Sequence, residues 1–230
     1  MSDALDKVAG ITRLPIFPLP LVMLPNELLP LHIFEERYRK MLLDIELERD
    51  VFGITLYEPA AGVDERPQRG SVGTVAQVRE SQMLPDGRSN ILTIGLVRYR
   101  LLEYLDEGDP YLKAKVEFFE DESEEGLVEL ADEVFVIFER MAKAAFKLGG
   151  SRGQFPEMQR ADPEPLSFLI TAAFNFENEK KQALLEMTST RKRLSTLREI
   201  LDKTVIQMEE SADINTAAKT NGHSKKKLDL

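Results

Sequence analysis

The sequence predicts an α+β chain: a β-rich first half carrying one early helix, then a second half built as a helical bundle. Three observations carry that prediction. Leu112, Ala114, Val116 and Phe118 alternate with Lys113, Lys115 and Glu117, which is the period of a half-buried strand. An acidic run, Glu120-Asp121-Glu122-Ser123-Glu124-Glu125-Gly126, then marks a change of period. Beyond it Leu127, Leu130, Val134, Ile137, Phe138, Met141 and Ala145 recur at the spacing of one helix face.

Taken in order, residues 1–12 are polar and are expected to fray. Leu14-Pro15-Ile16-Phe17-Pro18-Leu19 and Leu28 to Phe34 are short apolar runs. Pro15, Pro18, Pro20, Pro25 and Pro30 confine them to edges, strand ends or irregular extended structure, because proline cannot donate to a sheet ladder. From Phe34 the period becomes helical, with Phe34, Tyr38, Met41, Leu42 and Ile45 on one face. Val51 to Tyr57 reads as a strand, and Glu58 to Gly70 as a loop containing Pro59, Gly62, Pro67 and Gly70. Ser71 to Met83 and Asn90 to Leu105 form a hairpin across Pro85-Asp86-Gly87-Arg88, where Asp-Gly favours positive φ angles. Apolar residues on both faces between Ile91 and Leu101 predict a strand covered on both sides. Several strands of this length in one small domain argue for a closed or nearly closed barrel, since closure removes exposed edges.

In the second half, the helix that starts after the acidic run ends near Gly149-Gly150. Asp162-Pro163 reads as a cap and first position of the next helix, which carries Leu166, Leu169, Ile170, Ala173 and Phe174. A short helix with Ala183, Leu184 and Met187 follows. Thr188 or Ser189 caps the last helix, which holds Leu194, Leu197, Leu201, Val205 and Met208. The domains expected are 13–119 for the β-rich part and 124–210 for the helices, with a disordered polar tail over 211–230.

Composition bounds the function. The chain has 230 residues, 43% hydrophobic and 30% charged, which is ordinary for a globular protein. No apolar run reaches membrane-spanning length, and the amino terminus lacks the pattern of a signal peptide. With no cysteine there is no disulfide and no thiolate chemistry, so a cytoplasmic location is expected. The net charge of -10 disfavours nucleic acid as a partner. The basic cluster Lys225-Lys226-Lys227 is too short to read as a patch.

Catalytic machinery is not legible. No Gly-x-x-x-x-Gly-Lys-Ser/Thr occurs, and no glycine precedes a lysine. Gly149-Gly150-Ser151-Arg152-Gly153 follows a helix and reads as a terminus and linker. His32 lies in an apolar strand and His223 in the tail, so neither a histidine triad nor a metal cluster can be assembled from the folded part. His32 reads as a structural residue with one ring nitrogen hydrogen-bonded. The acidic run lacks the alternate spacing and glycine of a calcium loop and reads as a solvated connector. Neither catalytic residues, metal nor cofactor are expected.

The motifs Leu14-Pro15-Ile16-Phe17-Pro18, Leu29-Pro30-Leu31-His32-Ile33-Phe34-Glu35 and Arg37-Tyr38 resemble the opening of the amino-terminal, substrate-recognition (LON) domain of the Lon protease family. Phe52-Gly53-Ile54, Val72-Gly73-Thr74-Val75-Ala76, Asp86-Gly87-Arg88, Leu92-Thr93-Ile94-Gly95 and Tyr111-Leu112-Lys113-Ala114 follow in the same order. Lys181-Gln182-Ala183-Leu184-Leu185-Glu186 and Arg193-Leu194 match its helical half, so the resemblance covers roughly residues 12–205. It implies a compact PUA-like barrel and a non-catalytic module that recognises unfolded or extended polypeptide segments. It further implies an adaptor or regulator in ATP-dependent proteolysis, with a protease or chaperone as partner. The phosphate loop and serine-lysine dyad of full Lon enzymes have no counterpart in this sequence. A second reading is a small-molecule or nucleotide-binding module using the barrel mouth. A third, RNA binding, is a role open to PUA-like folds that the acidic balance opposes.

Residues 20–30, PLVMLPNELLP, are the candidate binding segment. They either cap the end of the barrel or, where exposed, form a conformationally restricted apolar patch suited to extended peptides. The site expected comprises Leu21, Met23, Leu24, Leu28 and Leu31, with Arg37 as a charged rim. Met23 and Leu24 lead it, lying between Pro20 and Pro25. The oligomeric state is not encoded in any feature of the sequence.

Overall fold

The computed structural model describes the backbone at residues 3–47, 49–58, 66–149 and 154–221, and side chains through Ser211 except at residue 210. The strands are β1 (Arg13–Leu19), β2 (Leu28–Ile33), β3 (Val51–Leu56), β4 (Val72–Met83), β5 (Ser89–Leu105) and β6 (Leu112–Phe119). The helices are α1 (Asp3–Lys7), α2 (Glu36–Glu46), α3 (Val128–Leu148), α4 (Pro163–Ala173), α5 (Asn178–Glu186) and α6 (Thr190–Asn221). The fold is α+β.

The strands form one sheet in the order β2-β5-β4-β3-β1-β6. Among the described strands only β1 and β3 pair in parallel, from Ile16↔Gly53 to Leu19↔Leu56. Strand β5 is long enough to pair with β4 on one side and with two strands in succession on the other. Those are β2, from Leu28↔Ile94 to Ile33↔Ser89, and β6, from Arg98↔Phe119 to Leu105↔Lys113. Because β6 also pairs with β1 through Arg13↔Lys115 to Ile16↔Leu112, the pairings return on themselves and β2 is left outside that ring. The β4–β5 turn closes as the Asp-Gly pair demands. Leu84 N–H donates to the Arg88 carbonyl (2.8 Å), and Gly87 takes φ 79°.

Alternation divides the apolar side chains between two cores. Leu14, Ile16, Val51, Val75, Val97, Tyr99, Leu101, Ala114 and Val116 form one, drawn from all five ring strands. Phe17, Ile33, Phe52, Ile54, Ala76 and Ile91 form the other, closed over by Tyr38, Met41 and Ile45 of α2. Tyr99 is fully buried, and its hydroxyl is bonded to Thr55. Gly53 and Gly73 leave the space in which its ring lies.

Two compact units emerge: Met1–Glu122 with Thr171–Thr188, and Ser123–Ile170 with Ser189–Leu230. A single cut between the strands and the helices therefore does not describe the chain, because α5 returns to the first unit. There Gln182 Nε2 donates to the Val72 carbonyl of β4 (3.0 Å). In the second unit α3 and α6 pack along each other, with Val134, Phe135, Phe138 and Met141 buried on α3 and Leu194, Leu197, Leu201 and Val205 on α6. Ser189 caps α6, its Oγ accepting from Lys192 N–H (3.0 Å). Arg193 is buried, donating from Nε to Ser167 Oγ (2.7 Å) and lying 4.0 Å from the centre of the Phe168 ring.

Several sequence expectations are corrected. The start of the chain is not wholly frayed: α1 forms, and Val8 enters the first core. Phe34 is not on the buried face of α2, which begins at Glu36 with Glu35 in extended conformation as its cap; Phe34 stands exposed. The acidic run is not simply solvated. The Asp121 side chain is buried against Arg98, and Glu124 accepts from Ser189 Oγ and Arg191 N–H. Helix α6 continues past Glu210 to Asn221, where disorder was expected. Ala212, Ala217, Ala218 and Lys219 are good helix formers that extend a helix already nucleated. The middle of the 58–70 loop, the glycine-rich linker from Gly150 on, and the tail from 222, with His223 and the three lysines, lie outside the described residues.

Candidate functional site

The proline-flanked segment divides sharply once folded. Met23 is 1% exposed and Leu24 0%, and Val22 and Pro25 are buried with them. Backbone contacts enforce this. Thr74 Oγ1 donates to the Met23 carbonyl (2.6 Å), and Asn26 N–H donates to the Gly95 carbonyl (2.9 Å). A side chain at position 95 would collide with the Leu24 carbonyl, so Gly95 is what lets the loop lie this close to β5. The Glu27 carboxylate accepts from Leu24 N–H (2.8 Å) and locks the turn, with Asn26 at φ 64°. Met23 and Leu24 are thus core and not available to a ligand, which corrects the expectation placed on them. Leu21 is half-buried at the margin of the second core.

After Glu27 the chain enters β2 and alternates. Leu29, Leu31 and Ile33 turn toward the second core, whereas Leu28, Pro30 and His32 are exposed on the opposite face. Leu28 is 58% exposed and Phe34, just beyond the strand, 59%. His32 Nδ1 bonds to Asn90 Oδ1 (2.7 Å), the carbonyl oxygen accepting, and its ring stacks with that of Phe34 at 6.1 Å between centres. Arg37 is exposed. It donates from Nε to Glu35 (2.9 Å) and lies 4.7 Å from the centre of the Tyr38 ring. Of the six expected residues the fold therefore presents Leu28 and Arg37, and half-buries Leu21 and Leu31. Pro30, which lies in the candidate segment but is not one of the six, and Phe34 beyond it share that exposed face, and the sequence carried a signal for this. The signal was the two-residue spacing of 28, 30, 32 and 34, which fixes their common face once strand geometry is accepted.

A groove of about 470 Å³ runs between α2 and the β4–β5 hairpin. Leu42, Leu43, Ile45, Val78 and Met83 give it apolar walls, and Glu36, Arg39, Lys40 and Glu46 a charged rim. A second cavity of about 680 Å³ is lined by Arg13, Lys40, Asp44, Glu107, Asp109, Tyr111 and Lys113. Its charges are paired: Lys113 with Asp109 (2.7 Å), Arg13 with Glu107 (2.7 Å), and Asp44 with Lys40 and the Tyr111 hydroxyl. The hydrogen bond from Lys40 holds the Asp44 carboxyl below its ordinary range, and Asp109 raises the Lys113 ammonium. Both shifts reinforce the ordinary charge states; neither moves a group toward acid–base duty near neutrality. Among the described residues no group of three or more His, Cys, Asp or Glu side chains is placed to hold a metal ion. No helix among them is long and apolar enough to cross a membrane.

The family model of the ATP-dependent protease La (LON) substrate-binding domain matches residues 13–203. The Lon protease of Anaeromyxobacter dehalogenans is 28% identical over 219 residues, and Lon protease 2 of Myxococcus xanthus 27% identical over 219 residues. Each match covers 90% of this chain and 25% of the relative, so the chain spans a quarter of the length of these curated relatives. Among solved structures, the Lon N-terminal domain protein from Xanthomonas campestris superposes with a TM-score of 0.62 at 22% identity, covering 82% of this chain and 98% of that one. The N-terminal domain of the Mycobacterium avium complex Lon protease gives 0.61 at 16% identity, covering 83% and 98%. At these identities the structural likeness is one of fold.

Proposed function

Because the chain belongs to the LON substrate-binding domain family, we propose that it is a recognition module for unfolded or extended polypeptide segments, without catalytic chemistry of its own. The observation that carries this reading is the exposed face of β2. Leu28 and Pro30 on the strand and Phe34 just beyond it stand exposed, with the His32 ring stacked on Phe34 between them, on the face opposite the core. Such a face is held in place before any ligand arrives, so little ordering entropy is lost on binding. The role we assign is that of an adaptor or regulator beside a protease or chaperone, in the cytoplasm. The ring of pairings β1-β3-β4-β5-β6 supports a PUA-like barrel as the scaffold.

Binding is tested by fluorescence anisotropy of labelled casein, an unfolded protein. Saturable binding is expected, and changing Leu28 and Phe34 together to serine should weaken it about tenfold with little loss of melting temperature. Equal binding by the variant removes that face from the site. The same preparation should neither hydrolyse ATP nor degrade casein above a buffer control. Turnover abolished by a point mutation within this chain would overturn the non-catalytic reading.

A further inference from the structure

We propose that the open edge of β2 takes an extended apolar polypeptide segment as an added strand, held mainly through its backbone; this deepens the recognition reading above and rests on it. The ladder determines which backbone groups are offered. Gly95 N–H donates to the Glu27 carbonyl (2.9 Å) at the head of the β2–β5 pair. Hydrogen-bonded and open pairs alternate along antiparallel strands. With Leu28 opposite Ile94 and Ile33 opposite Ser89, that alternation assigns Leu29, Leu31 and Ile33 to bonds with β5. The backbone groups of Leu28, Pro30 and His32 face the other way. Among the described residues β2 pairs with no strand but β5.

Exposed edges are ordinarily blunted by charged side chains, lysine above all. β2 carries no lysine, arginine, aspartate or glutamate. Pro30 alone blunts it, deleting the central donor and leaving the N–H groups of Leu28 and His32 and three carbonyls. An edge weakened at its centre pairs reversibly and resists propagating into self-assembly, which suits recognition followed by release.

Charge complementarity selects the occupant. Glu27 stands at the head of the strand, and the chain has a formal net charge of -10. A segment flanked by lysine or arginine is attracted to such a surface and an acidic one repelled. Leu28 and Pro30 on one face of β2 and Leu29 and Leu31 on the other are apolar and at least partly exposed, so the added strand carries apolar residues at consecutive positions. A strand drawn from the interior of an unfolding protein has that character.

The probe is a fluorescein-labelled peptide, Lys-Lys-Val-Ile-Val-Thr-Val-Ile-Lys-Lys, titrated with the full chain in parallel with labelled casein. Pro30→Ala restores the missing donor and should tighten peptide binding about fivefold. His32→Pro deletes a donor on the open edge and should weaken it about fivefold. Recognition through side chains alone predicts the opposite for Pro30→Ala, because apolar surface is lost. Unchanged or weaker binding by Pro30→Ala overturns the proposal, and that variant decides the matter even if His32→Pro fails to fold. Casein bound without the peptide sinks the added strand and leaves recognition standing; neither bound sinks both. A Pro30→Ala chain that dimerises in sedimentation without gaining affinity for the peptide gives the edge to a second copy and overturns the peptide as occupant.

Discussion

Arg98 and Asp121 form an ion pair almost wholly withdrawn from water, their side chains 1% and 3% exposed. The guanidinium also donates to the carbonyls of Leu185 (2.9 Å) and Met187 (2.6 Å), where α5 ends, and lies 4.6 Å from the centre of the Phe119 ring. A strand residue, a residue of the acidic run and a helix terminus of the first unit thus share one buried charge. Removing one partner of such a pair strands the other in low dielectric. Asp121→Ala should cost about 3–5 kcal/mol in urea denaturation. Glu122→Ala, one position along the same run but exposed, should cost less than about 1 kcal/mol. Similar losses for both would mean that the run is solvated throughout.

Gly53 lies against Tyr99. A Cβ at position 53 would sit 2.5 Å from the Tyr99 hydroxyl oxygen, 2.6 Å from Cζ and 2.8 Å from Leu14 Cδ2. Gly53→Ala should destabilise by about 1–3 kcal/mol through overpacking. Tyr99→Phe removes the nearest atom but leaves the Thr55 hydroxyl unpaired by its partner. The double variant should therefore be less destabilised than the sum of the two, by about 1 kcal/mol. Strict additivity in the denaturation cycle would show that the backbone moves aside.

Burial pushes the Glu27 carboxyl above its ordinary value, against the opposing pull of the Leu24 amide and of Lys181. A carboxyl with a raised folded pKa binds its proton more tightly folded than unfolded. Its ionisation costs stability as pH rises from the unfolded to the folded value, and the cost is complete above both. Glu27→Gln keeps an acceptor for Leu24 without the charge. It should be more stable than the native chain near pH 7 and equal to it at about pH 4 and below, read from denaturation midpoints. A variant less stable at every pH would mean that the turn needs the carboxylate itself.

Met23 and Leu28 lie five positions apart in one proline-flanked segment, yet their environments are opposite. Met23→Ser should cost about 2–5 kcal/mol by opening the second core. Leu28→Ser should stay within about 0.5 kcal/mol of the native chain and lower casein binding instead. Melting curves and anisotropy on the two single variants separate the roles.

Apart from α1, the strands and helices and their order were legible because each rests on local periodicity. Alternation over 112–118, the Asp86-Gly87 turn and the helical spacing after Gly126 depend only on residues a few positions apart. The family was legible in the same way, from contiguous motifs. The candidate site was legible only in part. Prolines and leucines in residues 20–31 marked an unusual segment, but no local pattern says which leucine faces water. Tertiary contacts decided that, through Thr74 and Gly95 drawing the backbone of Met23 and Leu24 inward, and through the ladder with β5 turning Leu28, Pro30 and His32 out. The burial of Asp121 was equally out of reach. A carboxylate in an acidic run reads as solvated until a cation from a distant strand, Arg98, meets it inside the fold. Periodicity is a property of neighbours along the chain; burial is a property of neighbours in space, and only the folded chain supplies them.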